Sequence, residues 1–282
     1  MAGAVNWPRH ARFAIYYAPP RESIWWAAGS TWLGRDAQHR DGGEPMMDEA
    51  AADQRPAHEA TADEPPALEL AARDRRAGEA PAYEAHAEHP PLSGPLAELT
   101  AAPRRYGWHG TLVAPFRLAD GVRADDLLVA VQRWARTRSG FSLPVEVATL
   151  GDFVALRPAS DEGDALMRGL AADALRTFAP LRAAPSVAEL ERRMAGGRLT
   201  ERQRALLVEW GYPYVFDEFR FHMTLSNALA SAHDCVAIVD WWQREAGRLG
   251  PLPVQGVALF VEPAPGEPFV LWQRLAFRTA EE

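Results

Sequence analysis

Two tetrads of the same type have residues that could carry out acid–base chemistry. His-Gly-Thr-Leu at 109–112 is the first tetrad, and His-Met-Thr-Leu at 222–225 is the second tetrad. Residues i and i+2 of a β-strand project from the same face. The histidine and threonine of each tetrad would therefore share one face of a strand, with apolar residues on the other face.

The residue types of the tetrads suit cleavage of a phosphodiester. His109 and His222 can each accept or donate a proton near neutral pH, so one can deprotonate water or a hydroxyl while the other protonates the leaving alkoxide. Thr111 and Thr224 can donate hydrogen bonds to non-bridging phosphate oxygens. This chemistry requires no metal and no other cofactor. In the structural alternative, each histidine only hydrogen-bonds its own threonine in the core, but the duplication favours a functional pair.

The elements around the tetrads also repeat. The strands that carry the tetrads are predicted at 106–113 and 219–226, and a helical pattern follows each of them. A Leu-Pro-Val strand begins 34 residues after the first histidine and 30 residues after the second, and further apolar strands run through Phe153 and Phe269. This repeat predicts an α+β fold of two pseudo-symmetric lobes, each an antiparallel sheet with flanking helices, around a central cleft.

Composition excludes several classes of protein. Of the 282 residues, 48% are hydrophobic, and no apolar run is long enough to cross a membrane. The start of the sequence has no secretory signal pattern, and the single cysteine, Cys235, excludes a disulfide framework and a cysteine-rich zinc site. We therefore expect a cytoplasmic protein that binds no metal.

Charge is concentrated in one region. Residues 36–98 contain 15 acids and 5 arginines, and the rest of the chain is nearly neutral. Within this region, 41–91 is rich in Ala, Glu, Asp and Pro, which predicts a disordered insertion in a single bilobed domain over 1–282. All 30 basic residues are arginine, and they form no basic stripe of the kind that binds long nucleic acids.

Several longer segments accompany the tetrads and carry a family resemblance. They are Arg-Phe-Ala-Ile-Tyr at 12–16, Trp-Leu-Gly-Arg-Asp at 32–36, Arg-Tyr-Gly-Trp-His-Gly-Thr-Leu at 105–112, Ala-Pro-Phe-Arg-Leu at 114–118, the stretch 199–225, and Leu-Phe-Val-Glu-Pro at 259–263. With these segments, the sequence resembles the two-histidine (2H) phosphoesterase superfamily, which includes bacterial RNA 2′,5′-ligase/cyclic phosphodiesterases. It is most similar to the branch of phosphonate-metabolism-associated proteins, DUF1045.

The resemblance implies that His109 and His222 form the acid–base pair and that Thr111 and Thr224 hold phosphate. It also implies the bilobed fold with the site in the cleft. The symmetry of the two tetrads leaves open which histidine is the base.

One position departs from the branch, whose members often have a basic residue directly after the first tetrad. This chain has Val113 there, on the same face as His109 by strand parity. Arg220, with the parity of His222, and Arg105, with the parity of His109, could supply the missing charge, or they could be ordinary surface arginines. Candidate residues for stacking on a base or sugar, which could equally be core aromatics, are Tyr106, Tyr212 and Tyr214.

The sequence therefore predicts a metal-independent phosphoesterase that hydrolyses a small cyclic phosphodiester of ribose or a nucleotide, with a link to phosphonate metabolism inherited from the resemblance. The alternatives are a non-catalytic protein that binds a phosphate ligand or an RNA end in the same cleft, and ligase chemistry on RNA ends. The expected partner is a small phosphorylated sugar or nucleotide. We expect no membrane partner, and a monomer, although the sequence does not determine the oligomeric state.

Overall fold

The computed structural model describes residues 7–38, 89–195, 197 and 199–278. Of the predicted insertion, only residues 89–91 fall within these ranges, and the rest lies outside the described residues. The described residues form helices and antiparallel sheets, which confirms the α+β class. No helix in these ranges combines the length and the apolar character needed to cross a bilayer.

The elements have the following bounds. The helices are α1 (Ile24–Leu33), α2 (Leu96–Leu99), α3 (Ala101–Tyr106), α4 (Ala124–Ala135), α5 (Asp161–Phe178), α6 (Val187–Ala195), α7 (Glu201–Trp210) and α8 (Ala232–Leu249). The strands are β1 (Arg12–Tyr17), β2 (Gly110–Phe116), β3 (Phe141–Leu143), β4 (Val145–Leu150), β5 (Phe153–Pro158), β6 (Met223–Thr224), β7 (Leu252–Val254), β8 (Gly256–Glu262) and β9 (Val270–Ala276). Single 3₁₀ turns cover Ala179–Leu181 and Phe216–Glu218.

The strands form two main sheets and one short ribbon, all antiparallel. The four-stranded sheet has the order β2-β1-β8-β9, and the three-stranded sheet has the order β4-β5-β6. The first tetrad therefore lies at an edge of the first sheet, and the second tetrad at an edge of the second sheet. The ribbon consists of β3 and β7, in which Leu143 pairs with Leu252.

The two sheets share the order of three of their strands. The order β2-β1-β8 is matched by β6-β5-β4, so β5 occupies the place in its sheet that β1 occupies in the other. Each half does add the predicted further strand, since β5 pairs with β4 and β9 pairs with β8. The two strands differ in their place, because β5 lies between β4 and β6 whereas β9 lies at the edge of its sheet. Spacing along the chain could not reveal the places of these strands, because each sheet combines strands from both halves of the sequence. The first sheet contains β8 beside β1, and the second contains β4 and β5 together with β6.

The boundaries of the tetrad strands also differ from the prediction. Tyr106 ends helix α3 and does not begin a strand, and β2 starts only at Gly110. Gly107 ends the helix with a φ of 79°, a left-handed conformation that favours glycine. In the second half, only Met223–Thr224 of the predicted strand 219–226 pairs in a sheet, because a 3₁₀ turn precedes it.

A cluster of tryptophans packs behind the first tetrad. Trp108, which directly precedes the tetrad, is fully buried and stacks on Trp242 of α8, with ring centroids 5.5 Å apart. Trp32 of α1 stacks on Trp241 at 5.0 Å and donates from Nε1 to the backbone oxygen of Leu225 at 2.8 Å. Residues at the ends of both tetrads are thus anchored in the same core.

Candidate active site

Both tetrads show the predicted alternation between a buried and a half-buried face. In the first, Gly110 and Leu112 are buried, whereas the histidine and threonine are half-buried. In the second, Met223 and Leu225 are buried, and again the histidine and threonine are half-buried. The apolar face of each tetrad contributes to the core, which leaves the polar face available for a ligand.

The two tetrads lie in direct contact through Gly110. A Cβ atom at this position would lie 2.4 Å from Cε2 of Phe221 and 3.4 Å from the backbone oxygen of His222. A glycine is therefore required here by space, since any side chain would separate the two segments. Because the contact involves the residue after His109 and the backbone of His222, the tertiary structure brings the two histidines of the tetrads to one place.

Both imidazoles are oriented in the same way. Nδ1 of His109 lies 2.9 Å from the backbone oxygen of Gly107, and Nδ1 of His222 lies 2.9 Å from the backbone oxygen of Arg220. A carbonyl oxygen only accepts, so Nδ1 carries the proton in each neutral ring. Nε2 is then the basic nitrogen of both rings, and the backbone two residues upstream fixes its direction.

Aromatic rings surround the first histidine. Tyr16 stacks on His109 with ring centroids 4.0 Å apart, and Tyr106 and Phe260 lie 5.8 and 6.2 Å away. Burial lowers the pKa of His109 to about 4, the hydrogen bond to Gly107 raises it in part, and the charge of His222 lowers it further. His109 is therefore neutral at neutral pH in the unliganded protein.

The second histidine has a more open environment. Phe153 is the aromatic neighbour of His222, with ring centroids 5.7 Å apart. Burial lowers the pKa of His222 too, and the hydrogen bond to Arg220 opposes this effect.

The two threonines differ in their contacts. Oγ1 of Thr111 lies 3.3 Å from Nε2 of His109, and since that nitrogen is unprotonated, the hydroxyl is the donor. Thr224 pairs with Ala155 of β5 through the backbone, and its side chain is half-buried. The hydroxyl of Thr111 thus contacts the unprotonated nitrogen of His109 in the absence of a ligand.

Val113 does not share the face of His109 as strand parity predicts, because β2 contains a bulge. Ile15 pairs with Val113 and its neighbour Tyr16 pairs with Thr111, so Leu112 is an extra residue on β2. A bulge interrupts the alternation of side chains. Val113 is 1% exposed and packs in the core, so it does not occupy a phosphate-facing position.

The predicted binding arginines are engaged by the protein itself. Arg105 lies in helix α3, so strand parity with His109 does not apply, and its guanidinium forms an ion pair with Glu262. Arg220 lies outside the strand and donates to the backbone oxygens of Asp217 and Phe219, at 2.8 and 2.7 Å. Tyr106 stacks on Phe269 at 5.0 Å, with its ring near His109.

Sequence reasoning missed several residues of this region. Arg12 pairs with Glu262 across β1 and β8, and the carboxylate, whose side chain is fully buried, also binds Arg105. Glu262 could have been noticed in the sequence, because it is the one acidic residue at the end of an otherwise apolar strand. Tyr16 gave no signal, because a tyrosine in an apolar strand is ordinary core material.

No cluster of three or more His, Cys, Asp or Glu side chains suited to a metal is found within the described ranges. A cavity of about 370 Å³ lies between the ends of α1 and α3, and neither tetrad lines it. Its walls include Arg35, Arg104 and Arg105, so it is not formed by the polar residues of the tetrads.

Comparison with known proteins gives both a family and relatives. The profile of a family of proteins of unknown function, DUF1045, matches residues 111–270, more than half of the chain. A protein of Laribacter hongkongensis (strain HLHK9), named ribose 1,5-bisphosphate phosphokinase PhnN, is 35% identical over 280 residues, which are 95% of this chain and 53% of that protein. A protein of the same name from Janthinobacterium sp. (strain Marseille) is 34% identical over 275 residues, 94% of this chain and 51% of that protein. The chain thus spans about half the length of both relatives.

Proposed function

The chain belongs to the DUF1045 family, and we propose that it hydrolyses a small cyclic phosphodiester, of a ribose phosphate or a nucleotide, with His109 and His222 as the acid–base pair. The observation that carries this proposal is the contact between the tetrads. Gly110 packs against Phe221 and the His222 backbone, so two imidazoles with fixed Nδ1 atoms belong to one site. Ring opening of a cyclic phosphate needs a proton acceptor and a proton donor in the same site.

The reaction follows from the two imidazoles and the two hydroxyls. The water oxygen bonds to phosphorus while one of the ring P–O bonds breaks. Nε2 of His109 takes a proton from the water, and protonated His222 gives a proton to the departing alkoxide. Thr111 and Thr224 donate to the non-bridging oxygens, whose negative charge grows in the transition state. The product is a phosphomonoester with a free hydroxyl on the neighbouring carbon.

The environments of the two histidines support His109 as the base. Burial lowers the pKa of both rings, but His109 is also enclosed by Tyr16 and disfavoured in its charged form by His222. When two titratable groups share a site, the one with the lower pKa is the base and the other is the acid. The bound phosphate adds a negative charge, which favours a proton on His222.

The matching sheet orders support a bilobed arrangement. In this arrangement, β2-β1-β8 and β6-β5-β4 would be equivalent sheets, and the ribbon, in which Leu143 pairs with Leu252, would join the two halves. The polar faces of the tetrads would then line the cleft from opposite sides.

The names of the relatives connect the proposal with ribose phosphates, but this chain spans only about half of each relative and cannot form a P-loop with its lysine. The relatives are named for a kinase that acts on ribose 1,5-bisphosphate. A P-loop needs a lysine on the phosphates of its nucleotide, and this chain contains no lysine. We assign the phosphorylation to the part of the relatives that this chain does not cover, and to this chain a reaction that forms or uses a ribose phosphate.

The proposal is tested by product formation in the presence of EDTA. The substrates are nucleoside 2′,3′-cyclic phosphates and ribose 1,2-cyclic phosphate, and the proteins are the wild type, His109→Ala, His222→Ala and His233→Ala. We expect ring opening by the wild type and a loss of about 10²- to 10⁴-fold in kcat for each tetrad variant. His233, whose side chain is 67% exposed, is the matched control and should leave kcat unchanged.

Two results would contradict the proposal. The first is full turnover by the double variant His109→Ala/His222→Ala. The second is tight binding of the cyclic compounds by the wild type without any product after long incubation, which would make the protein a binder of phosphate ligands.

A further inference from the structure

We propose that the cavity between the ends of α1 and α3 binds the phosphate group of a small ligand and is a site separate from the two tetrads. We call it the arginine cavity, because the described residues that line it are Arg35, Arg104 and Arg105, together with Gly34, Ala101 and Pro268. The inference does not depend on hydrolysis of a cyclic phosphodiester, since binding can be measured without turnover.

The arginine cavity has room for a whole small molecule. Its volume of about 370 Å³ falls within the usual range of ligand pockets, about 300–1,000 Å³. Gly34, Ala101 and Pro268 have no long side chain to fill this space, and their side chains carry no polar group. The guanidinium groups are therefore the polar side-chain groups that a ligand meets there.

Arg104 brings a positive charge to this cavity without a counter-charge. Its Nη2 donates to the backbone oxygen of Gly34 at 3.0 Å, and within the described ranges it forms no ion pair with a carboxylate. Gly34 has a φ of 63°, and a Cβ there would lie 2.4 Å from this Nη2, so only glycine lets the guanidinium lie against the end of α1. The other N–H groups of Arg104 are available to an anion.

Arg105 adds a charge that the protein neutralises only in part. Its guanidinium and that of Arg12 share the buried carboxylate of Glu262, so these three side chains have one positive charge in excess. The Arg105 side chain is 34% exposed, which leaves part of it accessible to a ligand. With Arg104 the excess becomes two positive charges, and a phosphomonoester carries about two negative charges at neutral pH.

Arg35 fixes the shape of the cavity. Its Nη1 lies 3.3 and 3.4 Å from the backbone oxygens of Arg104 and Arg105, and its Nη2 donates to the backbone oxygen of Phe269 at 2.6 Å. These hydrogen bonds join the end of α1 to the end of α3 and to the start of β9. A ligand would thus meet a wall that is already in place, which reduces the entropy lost on binding.

The arginine cavity is a neighbour of the proposed catalytic site. The guanidinium carbon of Arg105 lies 5.5 Å from the ring centroid of Tyr106, which lies 5.8 Å from that of His109, so the guanidinium is within about 11 Å of the imidazole. Neither histidine and neither threonine of the tetrads lines the cavity. A ligand held there would be close to the imidazole without occupying its place.

Phosphate is the anion that suits these donors. Each guanidinium presents N–H groups in a planar fork that matches the spacing of phosphate oxygens, and both Arg104 and Arg105 line the same space. Because the cavity is larger than a phosphate ion, it can also hold part of a sugar. The ligand class is therefore a small phosphate ester, with free phosphate as the simplest member.

The first test is calorimetric binding of inorganic phosphate to the double variant His109→Ala/His222→Ala, in which the tetrads no longer compete for the probe. Into this background we introduce Ala101→Glu, which places a carboxylate in the lining. The matched control is Ala102→Glu, an exposed neighbour in the same turn of α3 that does not line the cavity. Ala101→Glu should weaken phosphate binding about tenfold to a hundredfold, and Ala102→Glu much less.

The second test removes a donor and leaves the shape of the lining. Arg104→Gln should weaken phosphate binding about tenfold to a hundredfold in the same background. Arg136→Gln is the control, because Arg136 is an exposed arginine that directly follows helix α4. Thermal unfolding of each variant shows whether it is folded, so a loss of binding can be assigned to the cavity.

Ribose 5-phosphate is the second probe and identifies the source of the phosphate. Binding tighter than that of inorganic phosphate would support a phosphorylated sugar, and equal binding would support free phosphate. The site would be overturned by absence of phosphate binding in the background protein, or by equal binding in Ala101→Glu and Ala102→Glu. Phosphate binding at the cavity without turnover of any cyclic ester by the wild type would instead overturn the proposed function and leave this site standing.

Discussion

Tyr16 stacks on the imidazole of His109 with ring centroids 4.0 Å apart and an angle of 29° between the planes. Tyr16 itself is 1% exposed, so the stack replaces water on one face of the imidazole with a rigid ring. This arrangement keeps Nε2 in a fixed direction, and it disfavours the charged form of the histidine. The low pKa of His109 thus results from the same packing that orients its Nε2 atom.

A first prediction concerns stability at acidic pH. His109 has a folded-state pKa of about 4, below the unfolded value of 6.5, so the unfolded state takes up the proton first. Its contribution to the free energy of unfolding is therefore complete above about pH 6.5 and is lost as the pH falls towards 4, by up to about 3 kcal/mol. Urea unfolding at pH 7.5 and pH 5 should show a smaller pH effect for His109→Gln than for the wild type.

The control for this titration is His10→Gln. His10 is exposed, so the variant should keep the pH dependence of the wild type. Identical pH dependence in the wild type and His109→Gln would contradict a depressed pKa at this residue.

A second prediction separates the base from the acid. A p-nitrophenyl phosphodiester has a leaving group that departs without a proton, so the acid is dispensable for it. His222→Ala should therefore retain much more of the wild-type rate on this ester than on a cyclic phosphate, whereas His109→Ala should lose activity on both. The measurement is kcat for each variant on each substrate. The opposite pattern would exchange the two roles, and equal losses on both substrates in both variants would remove the assignment.

A third prediction concerns the contact between the tetrads. Gly110→Ala would place its Cβ 2.4 Å from Cε2 of Phe221, so the segments must move apart. We expect a loss of about 1–3 kcal/mol in the free energy of unfolding, together with a drop in kcat, since each histidine directly precedes a strand and would shift with it.

The matched control is Gly169→Ala, on the exposed surface of helix α5. A Cβ at Gly169 meets no atom within 4 Å, and alanine is the better helix former, so stability should stay equal or rise by up to about 1 kcal/mol. Wild-type kcat in Gly110→Ala would show that the tetrads do not act together.

A fourth prediction concerns the shared carboxylate of Glu262. Burial raises the pKa of this carboxyl, but the hydrogen bonds from Arg12 and the Gly266 backbone, together with the charges of Arg12 and Arg105, outweigh burial and hold the pKa below its usual value. Glu262→Gln would leave two arginines without their common anion, and we expect about 3 kcal/mol of destabilisation in chemical unfolding. Glu146→Gln, which removes an exposed pair with Arg157, should change stability by at most about 1 kcal/mol. Equal effects of both variants would indicate that Glu262 is solvated.

The local features of the tetrads could be read from the sequence. Alternation of polar and apolar residues determines which face of a strand is buried, and it correctly separated Thr111 from Leu112 and Thr224 from Leu225. Helix signals were equally local: Thr200 caps α7, and Gly211 ends it. These properties depend on neighbours within a few residues, so they are determined by the sequence alone.

The equivalence of the strands and the partners of the charged residues were decided by the tertiary structure. The bulge after Thr111 buries Val113, although strand parity predicted a position on the face of His109. Arg105 was predicted to share that face, but it lies in helix α3, where strand parity does not apply, and its guanidinium forms an ion pair with Glu262.

The sequence by itself determined that the histidine and threonine of each tetrad alternate with buried residues in an α+β protein, although only the threonines lie within strands. Only the tertiary structure decided that Tyr16 stacks on one of these histidines and that Glu262 binds Arg12 from 250 positions away in the chain. The physical reason is the range of the interactions. Backbone periodicity acts between neighbours in sequence, whereas desolvation and ion pairing depend on groups that become neighbours only when the sheets assemble.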